Sequence, residues 1–504
     1  MEKGEKEDPN LLKKVEVEDE DNAQEISEEK IYINNKARMT IYICLVIIST
    51  FSACDGGIVP QQLDNIKIDF GQDKESVAGF FSSVDYIGRV AGALIFAAIM
   101  GKMNRKMLLI GTLLFKALML LVSLFPFDKK NASDSDKKII MIVNIIARGL
   151  SGISQVFYTA YLIVWCDQYG KEKYRTIMIT IIQLSSAIGI IIGYGLGLLN
   201  QKIFGEEKGW AEGFGIEGII LLICSFIIFS FKNKYFSHKF VLIKDNEGRE
   251  ETPNGENKSS IVSNFGKILC NKIFLFTSLG NSIAFFAMSV IQYWGDKYMD
   301  KVLEVSKSTR FIAFSCLVLL GPILGILFGG IICSYLGGYG KRKVMVFVII
   351  SVILGSLISI TTSLYNNYII FILISWLFLF FVCATIPPES GIIISSLDNN
   401  LKGDGFALSN CIGNLIGNFP APYIFSLFAD FFNNENENDY THYRYAWSVS
   451  MCFNFLGVFF IIMAGIYRFK IKGDLARDEI KDIDRTTIGK LDESEVNDGD
   501  NLII

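Results

Sequence analysis

Along this chain the apolar residues come in long stretches, and the charges fall in short blocks between them. A helix rises about 1.5 Å per residue, so it needs about 20 apolar residues to cross a bilayer. Twelve stretches have that length: Thr40–Pro60, Val77–Gly101, Met107–Pro126, Ile139–Cys166, Thr176–Asn200, Phe214–Phe231, Ile273–Tyr298, Phe311–Leu336, Val344–Leu364, Tyr368–Ser396, Phe406–Asp430 and Ala446–Tyr467. The polar segment between the sixth and seventh contains DNEGREETPNGENKSS and reads as a flexible linker, about Asn233 to Lys267. The pattern predicts an all-α membrane protein of twelve transmembrane helices in two six-helix halves.

The expected divisions are an acidic disordered tail over 1–38, a first half over 39–232, a linker over 233–270, a second half over 271–468 and a second acidic tail over 469–504. The two halves share a signature. GALIFAAIMGKMNRKML (Gly92 to Leu108) and LGILFGGIICSYLGGYGKRKVM (Leu324 to Met345) each run from a small-residue helix through a tight turn into a basic cluster. A doubled six-helix unit of this kind is the design of a secondary transporter.

Orientation follows from the basic loops. KMNRK (Lys102 to Lys106), KEKYR (Lys171 to Arg175) and KRK (Lys341 to Lys343) fall on one side, together with the linker. The positive-inside rule makes that side cytoplasmic, with both termini. The lysine-rich loop Asp128 to Lys138 stands against this, although its aspartates offset the charge and its sequon Asn131-Ala-Ser133 suits an external loop. EDPNLL (Glu7 to Leu12) and DGDNLI (Asp498 to Ile503) have the form of endolysosomal sorting signals, so a plasma or endolysosomal-type membrane is expected. The acidic start of the chain reads as carrying no cleavable signal peptide.

Composition narrows the chemistry. The residues are 51% hydrophobic, and 48 basic side chains nearly balance 52 acidic ones, so no nucleic-acid partner is implied. Ten cysteines lie singly, without a CxxC pair, and read as core residues rather than disulfides. The two histidines, His238 and His442, lie outside the apolar stretches, which argues against a metal centre or an acid–base enzyme. No cofactor, metal or catalytic residue is expected. The expected partners are the lipid bilayer, a small amphipathic or anionic solute and protons, acting on a monomer.

The informative positions are the charges inside apolar stretches, because an intramembrane charge costs a few kcal/mol or more and seldom faces lipid. Asp55 lies just outside the midplane of the first stretch, and Arg148 is near the middle of the fourth. The second stretch contributes Asp85 and Arg89, four residues apart on one helix face. Two acids and two arginines therefore share one depth on three helices. They form either salt bridges that lock the bundle or the wall of a charged transport cavity, and the cost of burying them favours the cavity.

Asp55 facing Arg148 could be protonated in one state and paired in the other. Gly56 and Gly57 would let that helix bend or pack closely. Gln155, two turns from Arg148, can hydrogen-bond but not carry a proton. Glu389 follows Pro387 and Pro388, which are expected to break the tenth helix, and has either a gating or contact role or a water-facing one. Lys116, in the third stretch, is given no role by the sequence; snorkelling along a peripheral helix is the plain reading. Phe157, Tyr158, Tyr161, Tyr293 and Trp294 would line an amphipathic cavity or serve as packing and interfacial anchors.

These motifs resemble one family. RGLSGISQVFYTA (Arg148 to Ala160) is similar to the fourth-span motif RGxxGxGExxYxx of Spinster-type transporters of the major facilitator superfamily, with Gln155 at the glutamate position. KMNRK resembles the family's D-R-x-N-R-K turn, with Gly101 in place of the acid. The opening segment with Asp55 and Pro60 is similar to the first-span motif. RTIM with GIIIGY, YWGDKYM (Tyr293 to Met299) and GNFPAPYIFSLFAD (Gly417 to Asp430) resemble the fifth, seventh and eleventh spans.

The resemblance implies an alternating-access carrier of lysophospholipids, sphingoid phosphates or related amphiphiles, with some members proton-coupled. It implies Asp55 and Arg148 as the coupling pair and Lys102 and Arg105 as part of a cytoplasmic gate, which the missing acid at Gly101 weakens. Arg89 and Asp85 lie outside the family pattern and would mark a different substrate preference; from the residues themselves, substrate contacts are expected from Arg148, Arg89, Gln155, Tyr158, Trp294 and Glu389, with Asp85 in the coupling network. The competing readings are a carrier of small polar metabolites or organic anions and a non-transporting sensor.

Overall fold

The computed structural model describes residues 35–99, 103–125, 133–169, 175–204, 209–236, 261–338, 341–397, 401–433 and 440–470. The acidic tails, the middle of the linker, Gly101, Lys102 and Asn131 lie outside the described residues. The helices that follow are α1 (Asn35–Phe51), α2 (Asp55–Gln61), α3 (Leu63–Asp69), α4 (Glu75–Ile99), α5 (Arg105–Leu121), α6 (Asp134–Tyr169), α7 (Arg175–Phe204), α8 (Trp210–Ser230), α9 (Ile261–Cys270), α10 (Lys272–Lys301), α11 (Lys307–Tyr335), α12 (Arg342–Thr361), α13 (Tyr368–Ser395), α14 (Lys402–Ile412), α15 (Pro420–Phe432) and α16 (Thr441–Cys452).

They assemble into twelve membrane columns, and α1 with α2 makes the first. A π-helical turn over Gly413–Asn418 joins α14 to α15 as the eleventh. The twelfth continues from α16 over residues 454–470. Ten columns among the described residues are by themselves long and apolar enough to cross a membrane. The others are α4, which carries Asp85 and Arg89, and the interrupted α14–α15 column. Large apolar side chains such as Ile43, Leu118, Phe226, Leu357 and Leu373 are exposed on the outer faces of the columns, where lipid replaces water.

Local sequence marks several helix starts. The side-chain oxygens of Asn104, Asn271 and Asn367 accept the first backbone N–H groups of α5, α10 and α13. The N-terminus of α4 is capped from the other half instead. The carboxylate of Asp430 accepts from the backbone N–H of Glu75 and of Ser76, each at 2.9 Å.

Glycines set how closely neighbouring columns approach. A Cβ on Gly57 would overlap the Ile190 carbonyl oxygen and lie 2.6 Å from Tyr194 N, so the first column touches α7 backbone to backbone. A Cβ on Gly88 or Gly152 would overlap the carbonyl oxygens of Gly149 and Asp85, so α4 and α6 meet in the same way. The second half repeats this contact between α11 and α13, where Gly329 lies on the Ala384 carbonyl. That carbonyl would ordinarily accept from residue 388, which is a proline and has no N–H.

Three expectations are corrected. The tenth column is a continuous helix through Pro387 and Pro388, because a glycine of α11 covers a carbonyl they free. Part of the segment read as a flexible linker is helix: in α9, Phe265 and Ile268 pack on Phe274, Ile393 and Leu397. Lys116 does not snorkel to an interface, since its side chain is fully buried.

Candidate transport site

Regular α-helical bonding in the first column breaks into tighter turns at Ser52–Cys54, one residue before Asp55. Broken membrane helices expose backbone groups only where protein or a cavity receives them. Here the Ser52 carbonyl accepts from Lys116 Nζ at 2.7 Å. Gly56 N–H donates to Asp55 Oδ1 at 2.9 Å as well as to the Ala53 carbonyl at 3.2 Å.

Around this break lie six charged side chains. Arg148 Nη1 is 3.4 Å from Asp55 Oδ2, and Lys116 Nζ is 3.8 Å from Asp55 Oδ1. Lys116 Nζ is also 3.3 Å from Glu217 Oε1 on α8 and donates to Gln155 Oε1 at 3.3 Å. On α4, Arg89 Nη2 is 2.7 Å from Asp85 Oδ2. Ser151 Oγ reaches Asp85 Oδ1 at 3.4 Å and ties that pair to the Arg148 column. Asp55, Asp85, Glu217, Lys116 and Arg148 are buried, whereas 26% of the Arg89 side chain is exposed. Three acids and three bases on five columns thus balance in charge inside apolar helices, the condition under which such groups are tolerated.

Aromatic rings cover the cluster. The Arg148 guanidinium lies 5.2 Å from the Phe81 ring centre and 5.6 Å from that of Phe214. Arg89 lies 4.7 Å over Tyr86, whose hydroxyl meets that of Tyr293 from the second half at 3.3 Å. Phe157 stacks on Tyr161 within the first half.

At the α3 end the halves are clasped. Lys297 Nζ, on α10, donates to Asp64 Oδ1 at 2.6 Å and to both Glu75 carboxylate oxygens at 2.8 Å. Lys67 also pairs with Glu75, and the Tyr443 hydroxyl donates to it at 2.9 Å. Tyr194 pairs with Asp296, and Gln292 Nε2 donates to the Gly56 carbonyl at 3.1 Å. Burial alone would raise the Glu75 carboxyl, but Lys297 and Lys67 hold it below its usual range. Asp64 is held low in the same way, chiefly by Lys297 against burial. A polar cleft of about 340 Å³ opens over this clasp, lined by Asp64, Lys67, Glu75, Lys301, Tyr440 and Tyr443.

Of the residues singled out in the sequence, the structure brings together Asp55, Asp85, Arg89, Arg148, Gln155 and Tyr158. Tyr158 is buried on α6 within electrostatic reach of Lys116 and Asp55. Trp294 is not among them. Its indole N–H donates to the Pro422 carbonyl at 3.1 Å, and its ring stacks on Phe425, so it packs inside the second half. Glu389 is buried on α13 of the second half, and its Oε2 has no hydrogen-bond partner among the described residues. Arg105 opens α5, within electrostatic reach of Tyr161 and Tyr169. The sequence reading passed over Glu217 in GIEGII, although an acid inside an apolar stretch was the signal that marked Asp55. It also passed over the clasp, whose lysine and aspartate stand in plain view in YWGDKYM.

The family model of the Major Facilitator Superfamily matches residues 41–422, a region that includes the break, the charged cluster and most of both halves. The chain belongs to the major facilitator superfamily. Members of that superfamily are multi-pass membrane proteins, and the chain is an integral membrane protein.

Among curated proteins, the chain is 21% identical over 268 residues to a sphingosine-1-phosphate transporter of Xenopus tropicalis, covering 51% of this chain and 47% of the relative. It is 22% identical over 268 residues to the Danio rerio protein of the same name, covering 50% and 49%. The chain spans about half the length of these curated relatives.

Among solved structures, a bacterial homolog of the human lysosomal transporter Spinster, inward-facing and unoccupied, aligns with a TM-score of 0.67 at 14% identity, over 87% of this chain and 99% of that one. A D-xylose–proton symporter aligns with a TM-score of 0.61 at 13% identity, over 84% and 97%. These likenesses establish the fold.

Proposed function

We propose that this superfamily member moves an anionic amphiphile of the lysophospholipid or sphingoid-phosphate class by alternating access, coupled to protons. The observation that carries the reading is the buried cluster around the break at Ser52–Cys54. Arg148 and Arg89 supply guanidinium groups suited to a phosphate, each already held by an acid that can release it. Tyr86, Tyr293, Phe81 and Phe214 offer apolar surface beside those cations. The names of the curated relatives support a phosphorylated lipid.

The clasp at the α3 end is the contact that would part when the carrier faces the other way. With the basic loops and both termini cytoplasmic, that end is external, and the plasma membrane or an endolysosomal-type membrane fits the terminal motifs. The division into two halves and a central linker follows the boundaries read from the sequence, and the carrier works as a monomer.

A carrier of small polar solutes is the second reading, favoured by the structural likeness to a sugar–proton symporter. Purified protein in liposomes would be given labelled sphingosine-1-phosphate and lysophosphatidylcholine, with and without a pH gradient, for wild type and Arg148→Ala. Saturable uptake that Arg148→Ala abolishes supports the lipid reading. Uptake of neither lipid, with short-chain organic anions carried instead, replaces it.

A further inference from the structure

We propose that Glu217 on α8 is the proton-carrying group of this transporter, working against Lys116 on α5, and that it is separate from the Asp55–Arg148 pair. The inference rests on the transporter reading above and names a residue for its coupling.

The geometry begins with packing. A Cβ on Gly218 would sit 3.1 Å from the Ala117 carbonyl oxygen, so α5 and α8 meet closely at the next residue along from Lys116 and Glu217. Both side chains are 0% exposed.

A lysine ammonium has three N–H donors. One goes to the Ser52 carbonyl at 2.7 Å and one to Gln155 Oε1 at 3.3 Å. The third faces two carboxylates, Glu217 Oε1 at 3.3 Å and Asp55 Oδ1 at 3.8 Å. These two acids are unequally provided for. Asp55 also has Arg148 at 3.4 Å and the Gly56 N–H at 2.9 Å. Among the described residues, no hydrogen-bond donor reaches either Glu217 oxygen. The charge of this carboxylate therefore rests, among the described residues, on one shared ammonium. A buried charge so poorly compensated is the one most readily relieved by taking a proton. The charged and titratable groups that face it are Lys116 on α5, Asp55 and Cys54 on the broken first column, and Arg148 and Tyr158 on α6.

The consequence is a coupling rule. With Glu217 protonated, Lys116 and Arg148 face Asp55 alone and leave one net positive charge for an anionic headgroup. With Glu217 ionised, those four groups are neutral. An anion that draws Arg148 away turns Asp55 toward Lys116, and Glu217 is then left without its cation. Anion and proton therefore bind each other's loaded form more tightly, and reciprocity makes the coupling run both ways. The proton enters from water on one side and returns to water on the other, with no bond broken elsewhere.

The test uses the full chain in two readouts. In detergent without substrate, thermal unfolding of wild type, Glu217→Gln and Glu217→Asp is followed from about pH 5 to pH 9. A Tm difference between wild type and Glu217→Gln that changes with pH, and is restored by Glu217→Asp, is expected where Glu217 titrates. A difference that is flat across that range overturns the proposal.

In liposomes carrying labelled sphingosine-1-phosphate, the ratio of uptake with and without the pH gradient is expected to fall to about one in Glu217→Gln, whatever its downhill rate. A Glu217→Gln protein that keeps the wild-type ratio overturns it as well. Absence of uptake in wild type strikes the lipid reading alone, and the melting profile then decides the proton site. Should Glu217→Gln fail to fold, the Lys116→Met, Glu217→Gln double variant removes both charges together and is read by the same profile.

Discussion

Lys297 offers a direct measurement of the contact between the halves. Lys297→Met keeps the length of the side chain and removes only the ammonium. It deletes the 2.6 Å bond to Asp64 and the two 2.8 Å bonds to Glu75. Asp64 has 48% of its side chain exposed and is resolvated on release, so its share is that of a surface pair, under about 1 kcal/mol. Glu75 has 11% of its side chain exposed but retains Lys67 and the Tyr443 hydroxyl. Its loss therefore stays below the roughly 3–5 kcal/mol of a fully orphaned buried charge.

A combined loss of about 2 kcal/mol acts only on the state in which the halves meet, and it shifts that equilibrium by about 30-fold toward opening. Spin labels at Lys74 and Ser306, both exposed at this end, in a cysteine-depleted background would report the change by double electron–electron resonance. A new population at longer distance is expected. A distribution identical to wild type, in protein with an unchanged Tm, refutes the clasp as a determinant of the closed state.

Further predictions concern pH, packing and coupling. The Glu75 carboxyl is held below its usual value in the clasped state, so its contribution is full above the open-state value of about 4.3 and is lost as pH falls through the lower clasped value. The same distance measurement should therefore be flat between about pH 5 and pH 8 and open only below about pH 4, and Glu75→Gln should reduce that acid step to the part Asp64 carries. Gly57→Ala forces a methyl into the Ile190 carbonyl and should cost about 1–3 kcal/mol in thermal unfolding, moving Asp55 off its partners. Gly111→Ala, where a Cβ meets nothing within 4 Å, should instead stabilise by about 0.5–1 kcal/mol. Asp55→Asn gives the third Lys116 donor wholly to Glu217 and takes the paired acid from Arg148; the variant should fold with a lower Tm and lose gradient-driven accumulation in liposomes, and concentrative uptake at the wild-type rate would contradict that.

The first layer of this protein is legible in its residues alone. Columns of about 20 apolar residues are a property of each segment by itself, because the bilayer measures hydropathy and length locally. A charge inside such a segment stands out for the same reason, and Asp55, Asp85, Arg89 and Arg148 could be placed at one depth by counting residues. Partnership is another matter. Lys116 was read as a snorkelling side chain and Glu217 was passed over, yet they meet at 3.3 Å. Depth follows from position along one helix, whereas rotation and neighbour follow from which helices touch, and here backbone contacts at Gly57, Gly88, Gly152 and Gly218 decide that. The same close packing covers a carbonyl freed by the prolines of α13 and keeps that helix continuous. Trp294 packs on Phe425 inside the second half, another contact between segments far apart in the chain. The sequence determined how many times the chain crosses and which charges it carries across; only the packed bundle decided which acid faces which base, because that depends on contacts between segments far apart in the chain.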